Sequence, residues 1–204
     1  MYFNILGYRF ALTEISNRFA WLIRSKLRQN EPLDRVVGET AAVAVVLRSN
    51  SKLGDEFLLI RRAQREGDPW SGHVAFPGGR VEADDLSFEA TAIRETSEEV
   101  GVDLVAKSEF LGYMDPLEPR NRRIQVVPAV FGLIDTVKVL PNEEVASHRW
   151  IPVSDILSGK NRAGYAMETG SVRQTVPSFQ FGDYPVWGLT ERILMKLAEL
   201  AEAT

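Results

Sequence analysis

Residues 78–101 read GGRVEADDLSFEATAIRETSEEVG, and they form the most informative segment of the chain. Two glycines lead into a short acidic loop, and the predicted helix that follows carries Arg94, Glu95, Glu98 and Glu99. Because residues three and four positions apart share one face of a helix, Glu95 is expected to lie beside both Glu98 and Glu99. Carboxylates clustered in this way suit magnesium or manganese better than zinc, which prefers nitrogen and sulfur ligands. The pattern therefore predicts a divalent-metal site on one helical turn.

The same helix face also has a simpler interpretation. Arg94 and Glu98 are spaced as an i,i+4 ion pair, and an isolated Arg-Glu-x-x-Glu-Glu segment is usually a solvated surface. The flanking sequence favours a site, because FPGG at residues 76–79 precedes the helix and Gly101 is the expected stop. The apolar residues that indicate one buried side are Ala92, Ile93, Val100 and Val102.

At these residues the sequence resembles the Nudix hydrolase family. The family motif is a glycine, five residues, a glutamate, seven residues and then Arg-Glu-apolar-x-Glu-Glu-x-Gly-apolar. This chain departs from it in three respects. The interval from Gly79 to Arg94 is one residue longer, the first acidic residue is Asp85 or Glu82, and Thr96 occupies an apolar position. The matching residues are Gly79, Arg94, Glu95, Glu98, Glu99, Gly101 and Val102.

The longer interval resembles the coenzyme A pyrophosphatase-like branch of the family. Similar segments are LLIRR at residues 58–62, GHVAFPGG at 72–79, TAIRE at 91–95 and VWGLT at 186–190. The resemblance weakens where it would decide the substrate. Ile60 and Ala63 replace the threonine and serine of that branch, and the segment between Arg62 and Gly72, with its DPWS turn, is one residue longer.

The resemblance implies an α/β fold, a Nudix-type α/β/α sandwich with a mixed sheet. It also implies a hydrolase that cleaves a pyrophosphate bond in a nucleotide. Mg²⁺ or Mn²⁺ would be held by Glu95, Glu98 and Glu99, with Gly79 at the same metal site. Three substrate or function classes stay open: coenzyme A or a related nucleotide, which we favour; ADP-ribose, another nucleoside diphosphate sugar or a capped RNA end; and a non-catalytic nucleotide sensor.

The resemblance also assigns catalytic roles. Arg94, Glu95 and Glu98 are expected to act in catalysis, with Arg94 orienting a glutamate through a fork-like pair. The general base is either a glutamate of the motif or a carboxylate from a distant loop, where Glu144 is the best candidate. A solvated pair formed with its neighbour Glu143 is the favoured interpretation of that segment. The histidines at 73 and 148 are interpreted as structural.

The candidate substrate-binding residues are Arg61, Arg62, Trp70, Gly78 and Gly79. Arginine forks match the geometry of pyrophosphate oxygens. Glycine allows the backbone to approach a phosphate that a side chain would block.

Aromatic side chains are candidates for stacking on the nucleobase. Those considered are Trp70, Tyr113, Phe181 and Tyr184, although aromatic residues more often belong to the core. Trp70 is favoured because its proline-containing loop is expected to stay exposed. A second basic cluster, formed by Arg120, Arg122 and Arg123, is interpreted as a solvated loop rather than a substrate contact.

Composition narrows the function classes. A chain of 204 residues with 45% hydrophobic residues is long enough for one sizeable core. The absence of cysteine excludes a thiolate nucleophile, a disulfide framework and a cysteine zinc site. The net charge of -4 argues against a general nucleic-acid binder. No apolar run suits a membrane span, and the first residues do not resemble a signal peptide, so we expect a cytoplasmic enzyme.

Hydrophobic periodicity predicts the order of the elements. The predicted helices cover residues 13–29, 153–157 and 190–200, and the predicted strands cover 40–47, 56–61, 72–76, 104–113, 124–134 and 143–151. Residues 158–185 show weak periodicity and are expected to be a long irregular segment. We divide the chain into an N-terminal helical extension, residues 1–36, and a Nudix domain, residues 37–204. The extension is expected to cap the core or to form a homodimer contact.

Overall fold

The computed structural model describes residues 2–5, 8–11, 18–50, 52, 54–68, 70–120, 123–169 and 172–202. The elements, in chain order, are β1 (Tyr2–Ile5), β2 (Tyr8–Ala11), α1 (Arg18–Arg24), β3 (Thr40–Asn50), β4 (Gly54–Arg62), β5 (Val74–Ala75), β6 (Gly78–Arg80), α2 (Phe88–Val100), α3 (Leu104–Lys107), β7 (Ser108–Tyr113), β8 (Gln125–Leu133), β9 (Val145–Pro152), α4 (Val153–Leu157), β10 (Arg162–Thr169), β11 (Val172–Phe181), β12 (Tyr184–Trp187) and α5 (Gly188–Glu202). Strands β3 to β9 form a seven-stranded sheet, β10 to β12 form a three-stranded antiparallel sheet, and β1 pairs with β2.

The seven-stranded sheet is mixed. Its order is β5–β4–β3–β8–β7, with β6 paired to β3 and β9 paired to β4. Strands β3 and β8 run parallel, and the other pairs in the described part of this sheet are antiparallel. Strands β3 and β4 pair only near their hairpin; farther along, β6 pairs with β3 and β5 pairs with β4. The two strands therefore diverge, and β5 and β6 line the opening between them.

Helices cover both faces of this sheet. Successive side chains of a strand point to opposite faces, and in β4 Phe57 and Leu59 belong to one hydrophobic cluster while Leu58 and Ile60 belong to another. The first cluster includes residues of α1, α4 and α5, and the second includes residues of α2. The predicted α/β/α sandwich with a mixed sheet is therefore confirmed. In the described part of the chain, no helix is long and apolar enough to cross a membrane.

The N-terminal helix is shorter than predicted. It covers Arg18–Arg24, and residues 13–17 of the predicted helix lie outside the described residues. After the helix the chain runs to Arg28, which exchanges two backbone hydrogen bonds of 2.8 Å with Tyr113 at the end of β7. Ile23 and Leu27 are buried in the same cluster as residues of α5, so this segment packs into the main core.

Residues 158–185 are not the irregular segment that we predicted. Most of them form β10, β11 and the start of β12. Core-facing Phe179 and Phe181 alternate with residues of the opposite face, but Pro177, Gly182 and Pro185 interrupt this pattern in the sequence. The alternation is therefore visible only after the pairing of the strands is known.

The segment predicted as a strand over residues 104–113 begins as a helix. Asp103 caps α3, because its side chain accepts a hydrogen bond of 3.0 Å from the backbone N–H of Ala106. An aspartate in this position stabilises the start of a helix by satisfying a free N–H group. Strand β7 therefore begins only at Ser108.

Candidate active site

Helix α2 carries the acidic residues and is fixed at both ends. The side chain of Ser87 accepts a hydrogen bond of 2.9 Å from the N–H of Ala90 at the start. Gly101 ends the helix with a φ of 65°, a left-handed conformation that favours glycine. Phe88 and Ala92 are fully buried against the sheet. The acidic face therefore has a defined position relative to β6.

Glu99 lies beneath the two glycines of β6. Its side chain is almost completely buried, with 3% exposed, and it accepts a hydrogen bond of 3.0 Å from the backbone N–H of Gly78. Burial raises the pKa of Glu99 to about 7, although the bond from Gly78 opposes this shift. A Cβ atom on Gly79 would lie 2.3 Å from Oε1 of Glu95. Glycine at residue 79 is thus required for the close approach of β6 to the carboxylates.

Arg94 holds the acidic cluster together. It forms a two-bond fork with Asp85, in which Nε and Nη2 donate hydrogen bonds of 3.0 Å to Oδ1 and Oδ2. Its Nη1 atom contacts Glu95 at 3.0 Å and Glu98 at 3.3 Å. The fork that we predicted towards a glutamate is therefore made with the aspartate, and the glutamates receive single contacts.

The structure distinguishes the two candidates for the first acidic position. Asp85 is buried, and burial alone would raise its pKa; hydrogen bonds from Arg94, the N–H of Glu82 and the hydroxyl of Thr91 lower it to about 2. Glu82 is exposed and lies 3.6 Å from Arg94. Asp85 is consequently the residue that orients Arg94.

The predicted metal ligands partly converge. Burial raises the pKa of Glu95, and repulsion from Glu98 contributes in the same direction, while Arg94 opposes the shift. Glu98 is more than half exposed and faces Arg94. Among the described residues, no three acidic or histidine side chains are close enough together to hold a metal ion. The carboxylate oxygens of buried Glu99 and half-buried Glu95 nevertheless suit a hard divalent cation, which would remove their repulsion. Glu98 would join them if it turned away from Arg94.

A cleft of about 1290 Å³ opens above these carboxylates. It is larger than the roughly 300–1,000 Å³ of ordinary small-molecule sites, which leaves room for a ligand as large as a nucleotide. The predicted site residues that line it are Arg62, Trp70, Gly78, Gly79, Glu95, Glu99 and Glu144. The structure therefore brings together residues from α2, β6, the end of β4 and the loop before β9.

The NUDIX domain family matches residues 38–169, which is more than half of the chain. The chain belongs to the Nudix family. It is 34% identical over 161 residues to the mitochondrial coenzyme A diphosphatase NUDT8 of Homo sapiens, covering 76% of this chain and 67% of that protein. It is 30% identical over 190 residues to the Nudix hydrolase NudL of Photorhabdus laumondii, covering 93% and 97% respectively.

A solved structure supports the Nudix fold. The MutT/nudix family protein from Enterococcus faecalis aligns with a TM-score of 0.50 and 19% identity, over 92% of this chain and 73% of that one. Family membership and the Nudix hydrolases among the relatives make this protein a pyrophosphohydrolase of the Nudix type. The coenzyme A diphosphatase among them agrees with the branch that the sequence resembles.

Arg61 does not face the cleft of this Nudix protein. It neighbours Arg62 on β4 and so points the other way, where Nη1 lies 3.2 Å from Asp183 and the guanidinium lies 4.3 Å from the centre of the Tyr184 ring. The expectation that Arg61 contacts substrate does not fit this position. Arg62 does face the cleft, with its guanidinium 3.0 Å from Asp68 and 3.8 Å from Glu99.

Three of the four stacking candidates are also wrongly placed. Tyr113, Phe181 and Tyr184 are buried in the core, and only Trp70 among the four lines the cleft. Trp70 is half-buried rather than exposed, because Asp68 accepts a hydrogen bond of 3.0 Å from its N–H and tightens the turn. Pro69 of the same turn lies outside the described residues.

Glu144 lies on the cleft wall and is more enclosed than its neighbour. Its side chain is 41% exposed and its Oε1 atom lies 2.8 Å from Arg65, whereas the side chain of Glu143 is 91% exposed. The carbonyl of Glu144 accepts a hydrogen bond of 2.7 Å from the N–H of Ala63. The interpretation of these residues as solvated therefore fits the side chain of Glu143 and not that of Glu144.

Two aromatic residues of the cleft were missed by the sequence analysis. Tyr165 and Trp187 both line it, and their rings are parallel, with centroids 4.9 Å apart. Trp187 belongs to the VWGLT segment that resembles the coenzyme A pyrophosphatase-like branch, but it was not among the predicted stacking residues. Tyr165 lies in the segment that we expected to be irregular, so no periodicity indicated which way its ring would face.

Proposed function

We propose that this protein hydrolyses the pyrophosphate bond of a nucleoside diphosphate linked to another group, with coenzyme A or a related nucleotide as substrate. The observation that carries this proposal is the pair of neighbouring carboxylates, buried Glu99 and half-buried Glu95, that line a cleft large enough for such a molecule. Similarity to a relative named as a coenzyme A diphosphatase supports the choice of substrate. ADP-ribose, another nucleoside diphosphate sugar or another dinucleotide is the alternative.

The reaction is proposed to depend on Mg²⁺ or Mn²⁺ held by Glu95, Glu98 and Glu99, with the backbone of Gly79 beside them. When bound, the ion would screen the pyrophosphate charge and acidify the attacking water. Arg94 keeps Glu95 oriented, and its fork with Asp85 remains when Glu98 turns to the ion. A non-catalytic sensor is disfavoured, because mere binding does not require such a dense carboxylate site.

Other residues around the cleft suit the binding of the phosphates and the removal of a proton from the attacking water. The guanidinium of Arg62 is a forked donor for pyrophosphate oxygens. The backbone of Gly78 and Gly79 lets phosphates approach closely. Glu144 is our candidate to accept a proton from the attacking water, because it lines the same cleft as Glu95. A glutamate of α2 is the alternative base.

The rim of the cleft favours coenzyme A over ADP-ribose. Arg120 and Arg123 line one end, and neither has an ion-pair partner within the part of the chain that the structure describes. Coenzyme A carries a ribose phosphate in addition to its pyrophosphate, and ADP-ribose does not. The two arginines are suited to that extra phosphate, and we therefore replace the interpretation of this cluster as a solvated loop. Arg122 lies outside the described residues.

The test is release of phosphate esters from coenzyme A, dephospho-coenzyme A, ADP-ribose, NADH, diadenosine polyphosphates and nucleoside triphosphates, with Mg²⁺ or Mn²⁺ and with chelator. Metal-dependent cleavage that is fastest with coenzyme A is expected. Glu98→Gln and Glu99→Gln should each lose activity by orders of magnitude, while Glu109→Gln, an exposed carboxylate on β7 paired with Arg24, serves as the control. Cleavage of none of these compounds, or full activity in chelator, would refute the proposal.

A second measurement tests the substrate contact of Trp70. Trp70→Ala should raise KM for the preferred nucleotide more than it lowers kcat, because the half-buried ring lines the cleft and is not one of the predicted metal ligands. An unchanged KM would assign the ring to packing.

We assign residues 1–36 to an N-terminal helical extension and residues 37–204 to the Nudix domain, and we place the enzyme in the cytoplasm. Fractionation of cells that produce the tagged protein tests the location. A homodimer is open to test by light scattering of the purified chain.

A further inference from the structure

The three-stranded sheet of β10, β11 and β12 has two different faces. Phe179, Phe181 and Val186 of one face are buried in the core. The paired residues of the other face line the cleft; they are Tyr165, Met167, Gln174, Val176 and Trp187. This sheet therefore supplies an aromatic and apolar wall, whereas α2 and β6 supply the carboxylates and glycines.

The rings on this wall form an ordered row. Trp187 has His73 on one side, with centroids 4.7 Å apart and planes inclined by 60°, and Tyr165 on another, with centroids 4.9 Å apart and planes inclined by 11°. Tyr165 is half-buried and ends the row of ring contacts that the structure describes. A parallel pair that ends at a cleft can be extended by one more planar ring, because offset stacking is favourable for aromatic systems.

We propose that the Tyr165–Trp187 pair is the stacking site for the nucleobase of the substrate. The base would lie against the ring of Tyr165, while the pyrophosphate reaches the carboxylate end of the same cleft. Gln174 lies diagonally across from Tyr165 on the neighbouring strand and brings an amide to this wall, where it can donate to or accept from the polar edge of a base. This assignment rests on the proposed nucleotide substrate, and it names the residues that hold the base.

The other substrate group that this wall could take is an aliphatic arm, such as the pantetheine of coenzyme A. The base is favoured because the two rings are nearly parallel, whereas an aliphatic chain gains nothing from that alignment. Aromatic–base stacking is independent of which base is present, since every base has a planar face. The site should therefore accept adenine without requiring a particular set of hydrogen bonds.

The experiment compares a ligand with a base and a ligand without one. Calorimetry gives the Kd of AMP and of ribose 5-phosphate for the full chain, with Mg²⁺ and with chelator; neither compound contains a pyrophosphate to be cleaved. Wild type is expected to prefer AMP by about tenfold or more, the contribution of one stacked base. Tyr165→Phe should keep this preference because it keeps the ring, and Tyr165→Leu should lose most of it.

Several results would overturn the assignment. These are equal affinities of wild type for the two ligands, an undiminished AMP preference in a folded Tyr165→Leu variant, or weaker binding of 4′-phosphopantetheine but not of AMP in that variant. If Tyr165→Leu does not fold, nuclear Overhauser contacts in the wild type decide: contacts between adenine H2 or H8 and the Tyr165 ring support the site, and their absence in the bound state refutes it.

The outcome is separable from that of the proposed hydrolysis. AMP binding through Tyr165 without cleavage of any pyrophosphate compound would leave the stacking site intact and remove the enzymatic proposal. Metal-dependent cleavage with no preference for AMP over ribose 5-phosphate would support the enzymatic proposal and remove the stacking site.

Discussion

Substitution of Glu99 by glutamine should make the metal-free protein more stable while it abolishes activity. Glu99 is nearly fully buried, and its pKa is raised from 4.5 to about 7 because burial disfavours the charged form. Glutamine has the same shape and can still accept the hydrogen bond from the N–H of Gly78. It removes the charge that the buried position disfavours.

The size of the effect follows from the pKa difference between the folded and unfolded states. Each pKa unit corresponds to about 1.4 kcal/mol, so ionised Glu99 destabilises the folded protein by up to about 3 kcal/mol. A raised carboxyl pKa means that the folded state binds more protons than the unfolded state between pH 4.5 and about 7. Stability of the wild type should therefore fall as pH rises through this window and level off above it.

The assay is urea unfolding in chelator at about pH 5 and about pH 8, with wild type and Glu99→Gln measured in parallel. The variant should gain little at the lower pH and about 2 to 3 kcal/mol at the higher pH. Glu98→Gln is the matched control, since the Glu98 side chain is 57% exposed and should change stability little at either pH. Added Mg²⁺ should narrow the gap, because only the wild type retains all of the proposed ligands.

A Glu99→Gln variant that is less stable than wild type at the higher pH in chelator would refute the reasoning. It would mean that Arg62, 3.8 Å from Glu99, together with the backbone of β6, outweighs the cost of burying the charge. Full activity of the same variant would separately remove Glu99 from the metal site.

Three further substitutions test individual contacts. Gly79→Ala should lower kcat by orders of magnitude while the protein stays folded, because the new Cβ would lie 2.3 Å from Oε1 of Glu95; normal kcat would show that the carboxylate is free to move. Ser178→Ala should stabilise the protein by up to about 1 kcal/mol in urea unfolding, since this buried hydroxyl has no hydrogen-bond partner among the described residues. Arg61→Met should lower stability by about 1 kcal/mol through loss of its contacts with Asp183 and the Tyr184 ring, and leave KM unchanged; a raised KM would restore Arg61 as a substrate contact.

The features that the sequence predicted are those specified by local signals. The end of α2 at Gly101 and the shared face of Glu95, Glu98 and Glu99 both depend on residues within one or two helical turns. The short helix predicted over residues 153–157 has the same bounds in the structure. Family resemblance then supplied the sandwich, because its matching segments fall on β4, β5 and β6 of the sheet and on the helices α2 and α5.

The features that the sequence did not predict depend on contacts between distant segments. Arg61 and Arg62 are adjacent in the sequence, and only the contacts made in the fold show that the first faces Asp183 while the second faces Glu99. In the same way, Tyr165 becomes a cleft residue because β10 pairs with β11 in one register. A register shift by one residue would turn the ring to the other face.

Asp85, which lies in a motif loop one residue longer than usual, contacts Arg94 directly. An aspartate is one methylene shorter than a glutamate, yet Asp85 accepts two hydrogen bonds of 3.0 Å from the guanidinium. Further bonds from the N–H of Glu82 and the hydroxyl of Thr91 fix the carboxylate from the other side. This fork occupies Nε and Nη2 of Arg94, so that only Nη1 contacts the glutamates of α2. Because Arg94 is anchored independently of Glu98, that glutamate can leave it for a cation without loss of the contact that orients Glu95.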